Sequence, residues 1–329
     1  MKNMKKVLKE MAAASLVLTL AACGSSETAA ASSSGDAAYR VGICQLVQHE
    51  ALDSATQGFK DALTEEFGDA VSFDEQNASG DSATCSTIVN QFVTDDVDLI
   101  LANATASLQA AAAATDSIPV LGTSITEYGT ALDIDDFNGT VGNNISGTSD
   151  LAPLEDQAAM FDELLPDAKT IGILYCSAEP NSLYQAKVVQ EALEANGKKV
   201  VVSTFADSND VASVTQALCS EVDAIYIPTD NTAASSAELI DNIASQSNTP
   251  IIAGEEGIAK KCGIAALTIS YYELGKTTGA MAVKILKGEA DVSEMAIEYD
   301  ANPVKKYNAE KCEALGITVP SDYTAMETE

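Results

Sequence analysis

The chain reads the same way twice. Short β-rich runs alternate with helical stretches from residue 40 to 124, and the same order returns from 170 to 255. Gly42 pairs with Gly172 and Val97-Asp98 with Val222-Asp223. Asn103-Ala104-Thr105 pairs with Asp230-Asn231-Thr232, and Ile118-Pro119-Val120 with Thr249-Pro250-Ile251, all at offsets of about 125 to 131 residues. Strand and helix in strict alternation mean parallel sheets covered on both faces. The expected fold class is therefore α/β, with two similar doubly wound parallel-sheet lobes. Loops at the carboxyl ends of such strands line the ligand crevice, so equivalent loops of two facing lobes converge on one cleft.

In the first half the strands are RVGICQLV, VSFDEQN, DLILAN and IPVLGTS, with helices over 50–66, 83–93 and 107–114. The second half repeats them as TIGILY, KVVVSTF, DAIYIP and TPIIAGE, with helices over 182–196, 211–219 and 233–245. Lobe 1 is expected over 39–147 and lobe 2 over 148–265, with part of about 266–329 returning to lobe 1. The small polar run NNISGTSD at 143–150 suits a hinge. After the strand AALTISY, a helix with Leu274, Met281, Ile285 and Leu286 at helical spacing follows; 295–299 and 311–319 read as a last strand and a short docked helix.

The amino end fixes a compartment. Lys2, Lys5, Lys6 and Lys9 precede twelve uncharged residues, Met11 to Ala22, and then Cys23. That is a signal peptide over 1–22, too short in its apolar part for a membrane span of about twenty residues. Leu20-Ala21-Ala22-Cys23 resembles the bacterial lipobox, which implies a diacylglycerol on Cys23 and stable anchoring at the outer face of the cell membrane. Residues 23–38 are small or polar and read as a lipidated flexible tether, spanning roughly 20 Å.

Charge and composition remove several function classes. A formal charge of −31 argues against nucleic acid, whose phosphates need a basic face. A hydrophobic fraction of 46% places that acidity on the surface of a folded body rather than in a disordered chain. The single histidine, His49, leaves no two-histidine metal site, and G-x-S-x-G, the P-loop and a strand-proximal G-x-G-x-x-G are absent. No cofactor or metal is implied, and a binding protein is favoured over an enzyme; carboxylate-only catalysis survives the screen but leaves two like lobes on a lipid tether unexplained. Cys44, Cys85, Cys176, Cys219, Cys262 and Cys312 have long spacings and no C-x-x-C, so free thiols are expected.

The runs VGICQLVQHEALD (41–53), NASGDSAT (77–84), SGTSD (146–150), YCSAEPNS (175–182), PTDNTAAS (228–235) and AGEEG (253–257) carry a resemblance. With the lipobox and the duplicated lobes, they resemble the ABC-transporter substrate-binding lipoproteins of the tryptophan/tyrosine-type uptake family, over about 39–320. The resemblance implies the type I periplasmic-binding-protein fold. It also implies a monomer that captures a small amino acid, plausibly aromatic, between closing lobes and delivers it to an ABC permease. Alternatives are a sugar or nucleoside ligand, or a sensory lipoprotein.

Such a ligand needs donors for its carboxylate and an acid for its ammonium. Thr105 and Ser124 stand at strand ends in lobe 1 as donors, or as helix caps. Asp150, Asp230 and Glu255 are the candidate acids. Asp230 with Asn231 leads, because the lobe 1 counterpart is the neutral Asn103; the alternative is an N-cap before Ala233. Gln45 and His49 follow the first strand, Asn181 follows its lobe 2 counterpart, and Tyr271 could stack on an aromatic ring or face the core.

Overall fold

A computed structural model describes residues 37–300 and 302–327. The expected signal peptide, Cys23 and the tether up to residue 36 lie outside the described residues. The chain begins with β1 (Tyr39–Gln45), α1 (Glu50–Phe67), β2 (Val71–Asn77), α2 (Ser82–Thr94), β3 (Leu99–Asn103) and α3 (Thr105–Ala114). It continues through β4 (Val120–Ile125), α4 (Tyr128–Leu132) and β5 (Ile145–Ser149). The second round comprises α5 (Leu154–Leu164), β6 (Thr170–Cys176), α6 (Pro180–Ala195), β7 (Lys199–Phe205), α7 (Val211–Cys219) and β8 (Ala224–Ile227). Then come α8 (Asn231–Ser235), α9 (Ala237–Ser247), β9 (Ile251–Ala253), α10 (Glu256–Cys262) and β10 (Ala265–Thr268). The end is α11 (Tyr271–Leu286), β11 (Glu298–Tyr299), β12 (Val304–Tyr307), α12 (Ala309–Leu315) and β13 (Thr324–Ala325).

Two sheets result, ordered β11-β5-β4-β3-β1-β2 and β13-β12-β10-β9-β8-β6-β7. Every pairing is parallel except β12 against β10. Helices cover both faces, so β3, β4 and β8 are buried along their whole length, as their apolar runs require. In both sheets the order reverses beside the first strand of the round, and the crevice opens there at the carboxyl ends.

The repeated residues hold equivalent places. A Cβ on Gly42 would come within 2.6 Å of the Phe92 ring, and one on Gly172 within 2.9 Å of Leu218, so each glycine lets a helix close onto its strand. Asp98 accepts the Arg40 N–H at 2.7 Å, and Asp223 accepts those of Lys169 and Thr170 at 2.8 Å. Pro119 and Pro250 each offer a carbonyl to the neighbouring strand, at Ile100 and Ile225.

The hinge differs from the expectation. Ile145–Ser149 is a buried strand of the first sheet, locked by the Ser146 hydroxyl to the Met295 carbonyl at 3.0 Å. Its small residues serve close packing: a Cβ on Gly147 would lie 2.1 Å from the Gly122 oxygen. The chain first leaves this sheet after β5, at Asp150, and returns between β10 and α11. It leaves for the last time between β11 and β12, so β12, α12 and β13 belong with the second sheet. Helix α11 packs backbone to backbone on α1, where a Cβ on Gly275 would sit 2.0 Å from the Ala55 oxygen. All six cysteines of the body are free thiols; five are buried and Cys219 is half-buried.

Candidate functional site

Where the strands of the first lobe end, the backbone is strained. Ala104 has φ 88° and Ser124 φ 56°, both in the left-handed region that costs a non-glycine residue roughly 1–2 kcal/mol. The two neighbour one another, because Ala104 N–H donates to the Thr123 carbonyl at 3.1 Å. Ala104 caps α3 without a side chain able to accept from the first-turn N–H groups, and that turn carries no acid. Ser124 is only 7% exposed, and its hydroxyl has no hydrogen-bond partner. A bare helix start beside an unpaired buried hydroxyl offers donors that an anion can accept from.

Two helix starts of the second lobe, those of α8 and α10, are filled. Asp230 caps α8: one oxygen accepts Ala233 N–H and the other Cys176 N–H, both at 2.7 Å. Glu179 takes the N–H groups of Asn231 and Thr232, each at 2.9 Å, together with the Thr232 hydroxyl and the Asn231 amide. Glu255 caps α10 through Gly257 and Ile258, as Glu127 caps α4 through Gly129 and Thr130. Burial pushes Asp230 up to about 8 and Glu255 to about 7, with Glu179 adding to the first. Asp230, the leading acid by sequence, is thus an N-cap whose two oxygens both hold backbone donors.

Between the lobes stands Asp150, 5% exposed, at the first crossover. One carboxylate oxygen accepts the Tyr271 hydroxyl at 2.9 Å; the other has no partner. Burial raises its pKa, and burial with the Asp150 charge raises that of Tyr271. Asp150 N–H donates to the Ile125 carbonyl at 3.1 Å, which sets the unpaired acid at the strand end that carries Ser124. The Tyr271 ring is buried with its hydroxyl committed to Asp150, and exposed Tyr272 bonds Asp61 on α1.

Other candidates are engaged elsewhere. Gln45 accepts the Thr56 hydroxyl and donates to Val47 and Asp53, so it braces the turn into α1. Asn181 donates to the Thr229 carbonyl and to Glu179. Thr105 is the buried first residue of α3. His49 spans the cleft: its Nε2 lies 3.2 Å from the Asn231 Oδ1. Because the Asn231 amide nitrogen donates to Glu179, its oxygen accepts and the imidazole donates. Burial lowers the His49 pKa, which keeps the ring neutral in this role. Gln185 also crosses, donating to the Thr126 hydroxyl at 3.3 Å, and Glu50 pairs with Lys260. No motif marks Thr126 or Gln185, since both lie within ordinary helical or loop sequence.

The geometry has parallels among known proteins. A family model described as ABC transporter substrate binding protein matches residues 40–328. The chain is 36% identical over 253 residues to a tyrosine-binding protein of Clostridioides difficile, covering 76% of this chain and 73% of that one. An ABC domain from Streptococcus pneumonia in complex with L-Trp is 32% identical with a TM-score of 0.82, over 86% of this chain and 96% of that one. The ligand-free, open structure of a substrate binding protein with adhesive properties from Clostridium difficile is 37% identical over 88% of this chain and all of that one. Its TM-score is nonetheless 0.67, as expected when the lobes here are tied across the cleft. Two lobes of this topology and a match over nearly the whole described body lead to one assignment: the chain belongs to the ABC transporter substrate-binding protein family.

Proposed function

We propose that this protein captures an aromatic amino acid between its lobes and hands it to an ABC permease. The observation that carries the reading is a pair of orphaned buried atoms of opposite preference, the Ser124 hydroxyl and one Asp150 oxygen, beside the bare start of α3. The amino acid's carboxylate would sit on α3 and Ser124, and its ammonium on Asp150. Cleft closure strips water from both, so charge-assisted bonds gain strength. The relatives named for tyrosine and solved with tryptophan support an aromatic side chain. The leader and Cys23 support export and a lipid anchor for the body. No helix among the described residues is long and apolar enough to cross a membrane. The cleft's acids serve as caps or ligand contacts, which supports binding without turnover.

Isothermal titration of the protein with tryptophan, tyrosine and phenylalanine, with myo-inositol as the polyol control, tests this. Saturable heat with at least one aromatic amino acid is expected. Heat with the polyol alone would keep the fold and overturn the ligand.

A further inference from the structure

Two crossovers between the sheets meet at one hydrogen bond. Asp150 stands where the chain first leaves the first sheet, and Tyr271 opens α11 where it returns. The Tyr271 hydroxyl donates to one Asp150 oxygen at 2.9 Å, and the two residues are 7% and 5% exposed. Tyr272 bonds Asp61 and Tyr323 bonds Glu163, but both of those acids reach solvent. Among the described residues, only Asp150 meets a tyrosine in full burial.

The rest of the surroundings hold Asp150 by its main chain. Its N–H donates to the Ile125 carbonyl, the Ser149 hydroxyl donates to the Thr126 carbonyl, and the Leu151 N–H donates to the Ser149 hydroxyl. The Asp150 side chain has Tyr271 as its hydrogen-bond partner, and the second oxygen has none. The tyrosine is itself held in place. Its ring packs with Ala51, Ala55, Ile269 and Leu274. Further along α11, the Thr278 hydroxyl lies 2.8 Å from that of Thr148 on β5 and 3.2 Å from that of Thr123 on β4. These bonds fix α11 against the strand that ends at Asp150.

We infer that Tyr271 is a positioning residue for ligand capture: by holding one Asp150 oxygen, it leaves the other free for the ligand's ammonium. This role rests on the proposed ligand site, which it refines. A donated hydrogen bond favours the charged carboxylate against the burial that opposes it. Burial also raises the Tyr271 pKa well above its ordinary value, so the phenol keeps its proton through the neutral range. Without the hydroxyl, Asp150 takes up its own proton at higher pH. The other titratable groups facing this pair are Tyr128 on α4, whose hydroxyl donates to the Thr148 carbonyl, and Glu255 before α10. Glu255, raised to about 7, and His49 before α1 titrate in the parent and in each variant alike. The Asp150 limb of a pH profile is therefore the part that Asp150→Asn removes.

The test is calorimetric titration of the full chain with tryptophan, tyrosine and phenylalanine from about pH 5 to about pH 9. Tyr271→Phe keeps the ring and removes only the hydroxyl. Its affinity should fall about tenfold on the acid side, with the limb displaced to higher pH and the loss shrinking as pH rises. In the Asp150→Asn background the same substitution should cost little, because no charge is left for the hydroxyl to favour. Replacing Tyr271 by 3-fluorotyrosine, a more acidic phenol of nearly the same shape, should move the limb to lower pH, and it supplies the test where Tyr271→Phe does not fold. A limb at the parent's pH in every tyrosine variant that folds, or an equal loss from Tyr271→Phe with and without Asp150, overturns the inference alone. A parent that binds an aromatic amino acid with no limb for Asp150→Asn to remove overturns the placing of the ammonium and this role with it. A parent that binds none of the three overturns the ligand reading and this role together.

Discussion

The two lobes share a scaffold and differ at their cleft-facing ends. Where a residue holds the fold, both lobes keep it: Gly42 and Gly172 under a helix, Asp98 and Asp223 on strand-start N–H groups, Glu127 and Glu255 as caps. Where a residue faces the cleft, they diverge. The α1 cap is His49 and the α6 cap Glu179; the α3 cap is Ala104 and the α8 cap Asp230. At these starts α3 presents donors without an acceptor, and α8 a carboxylate already satisfied by backbone N–H groups. Duplication thus supplies a symmetric frame, and on the proposed reading polarity for a zwitterion would come from a few substitutions at strand ends.

The sharpest way to break the difference is to give lobe 1 the cap of lobe 2. Ala104→Asp would place a carboxylate at the bare start of α3, as Asp230 stands before α8. Like charge against the ligand's carboxylate costs several kcal/mol, so affinity should fall by about a hundredfold or more, read by calorimetry. A variant that binds as well as the parent would remove α3 from the site.

Asp150→Asn keeps an acceptor for Tyr271 but removes the charge offered to the ammonium. A charged hydrogen bond contributes about 1.5–3 kcal/mol, so affinity should drop about ten- to a hundredfold. If Asp150 holds the ammonium, binding requires the ionised acid, and burial raises the Asp150 pKa. Affinity of the parent should therefore fall as pH decreases through a point above the ordinary carboxylate range, and the Asn variant should lose that limb.

Asp230→Ala makes the opposite distinction, stability without affinity. Two buried N–H groups, those of Cys176 and Ala233, lose their acceptor, each at about 1–3 kcal/mol, offset in part by removal of a buried carboxyl. The melting temperature should drop by several degrees in a thermal scan, while the folded fraction binds ligand unchanged. A loss of affinity with normal stability would restore Asp230 to the ligand.

The frame was legible because periodicity and duplication are properties of whole segments. The alternation of strands and helices, the repeated glycines and aspartates and the return of part of the chain after 266 all follow from patterns longer than any one residue. The site was legible only by neighbourhood. Sequence reading put Asp150, Asp230 and Glu255 forward as cleft acids and ranked Asp230 first, yet the same carboxylate serves as cap or ligand contact according to which N–H groups point at it, and no sequence pattern carries that. The hinge was misplaced for a related reason: Ser146-Gly147-Thr148-Ser149 is small and polar like a linker, yet its smallness allows a buried strand to approach Gly122.

Ser124 gives the smallest effect and separates function from folding most cleanly. Its left-handed backbone is a cost to the fold, and its buried hydroxyl, having no partner, contributes no hydrogen bond to offset it. Ser124→Ala keeps the backbone and removes only that hydroxyl, so the melting temperature should stay level or rise slightly. If the hydroxyl meets the ligand's carboxylate, affinity should fall about tenfold, the usual worth of a hydrogen bond to a charged group. Gly at the same position relieves the backbone strain as well, and should raise stability further while binding no better than Ala. Affinity that survives both substitutions would mean that the orphaned hydroxyl is answered by no ligand atom and that α3 holds the carboxylate alone.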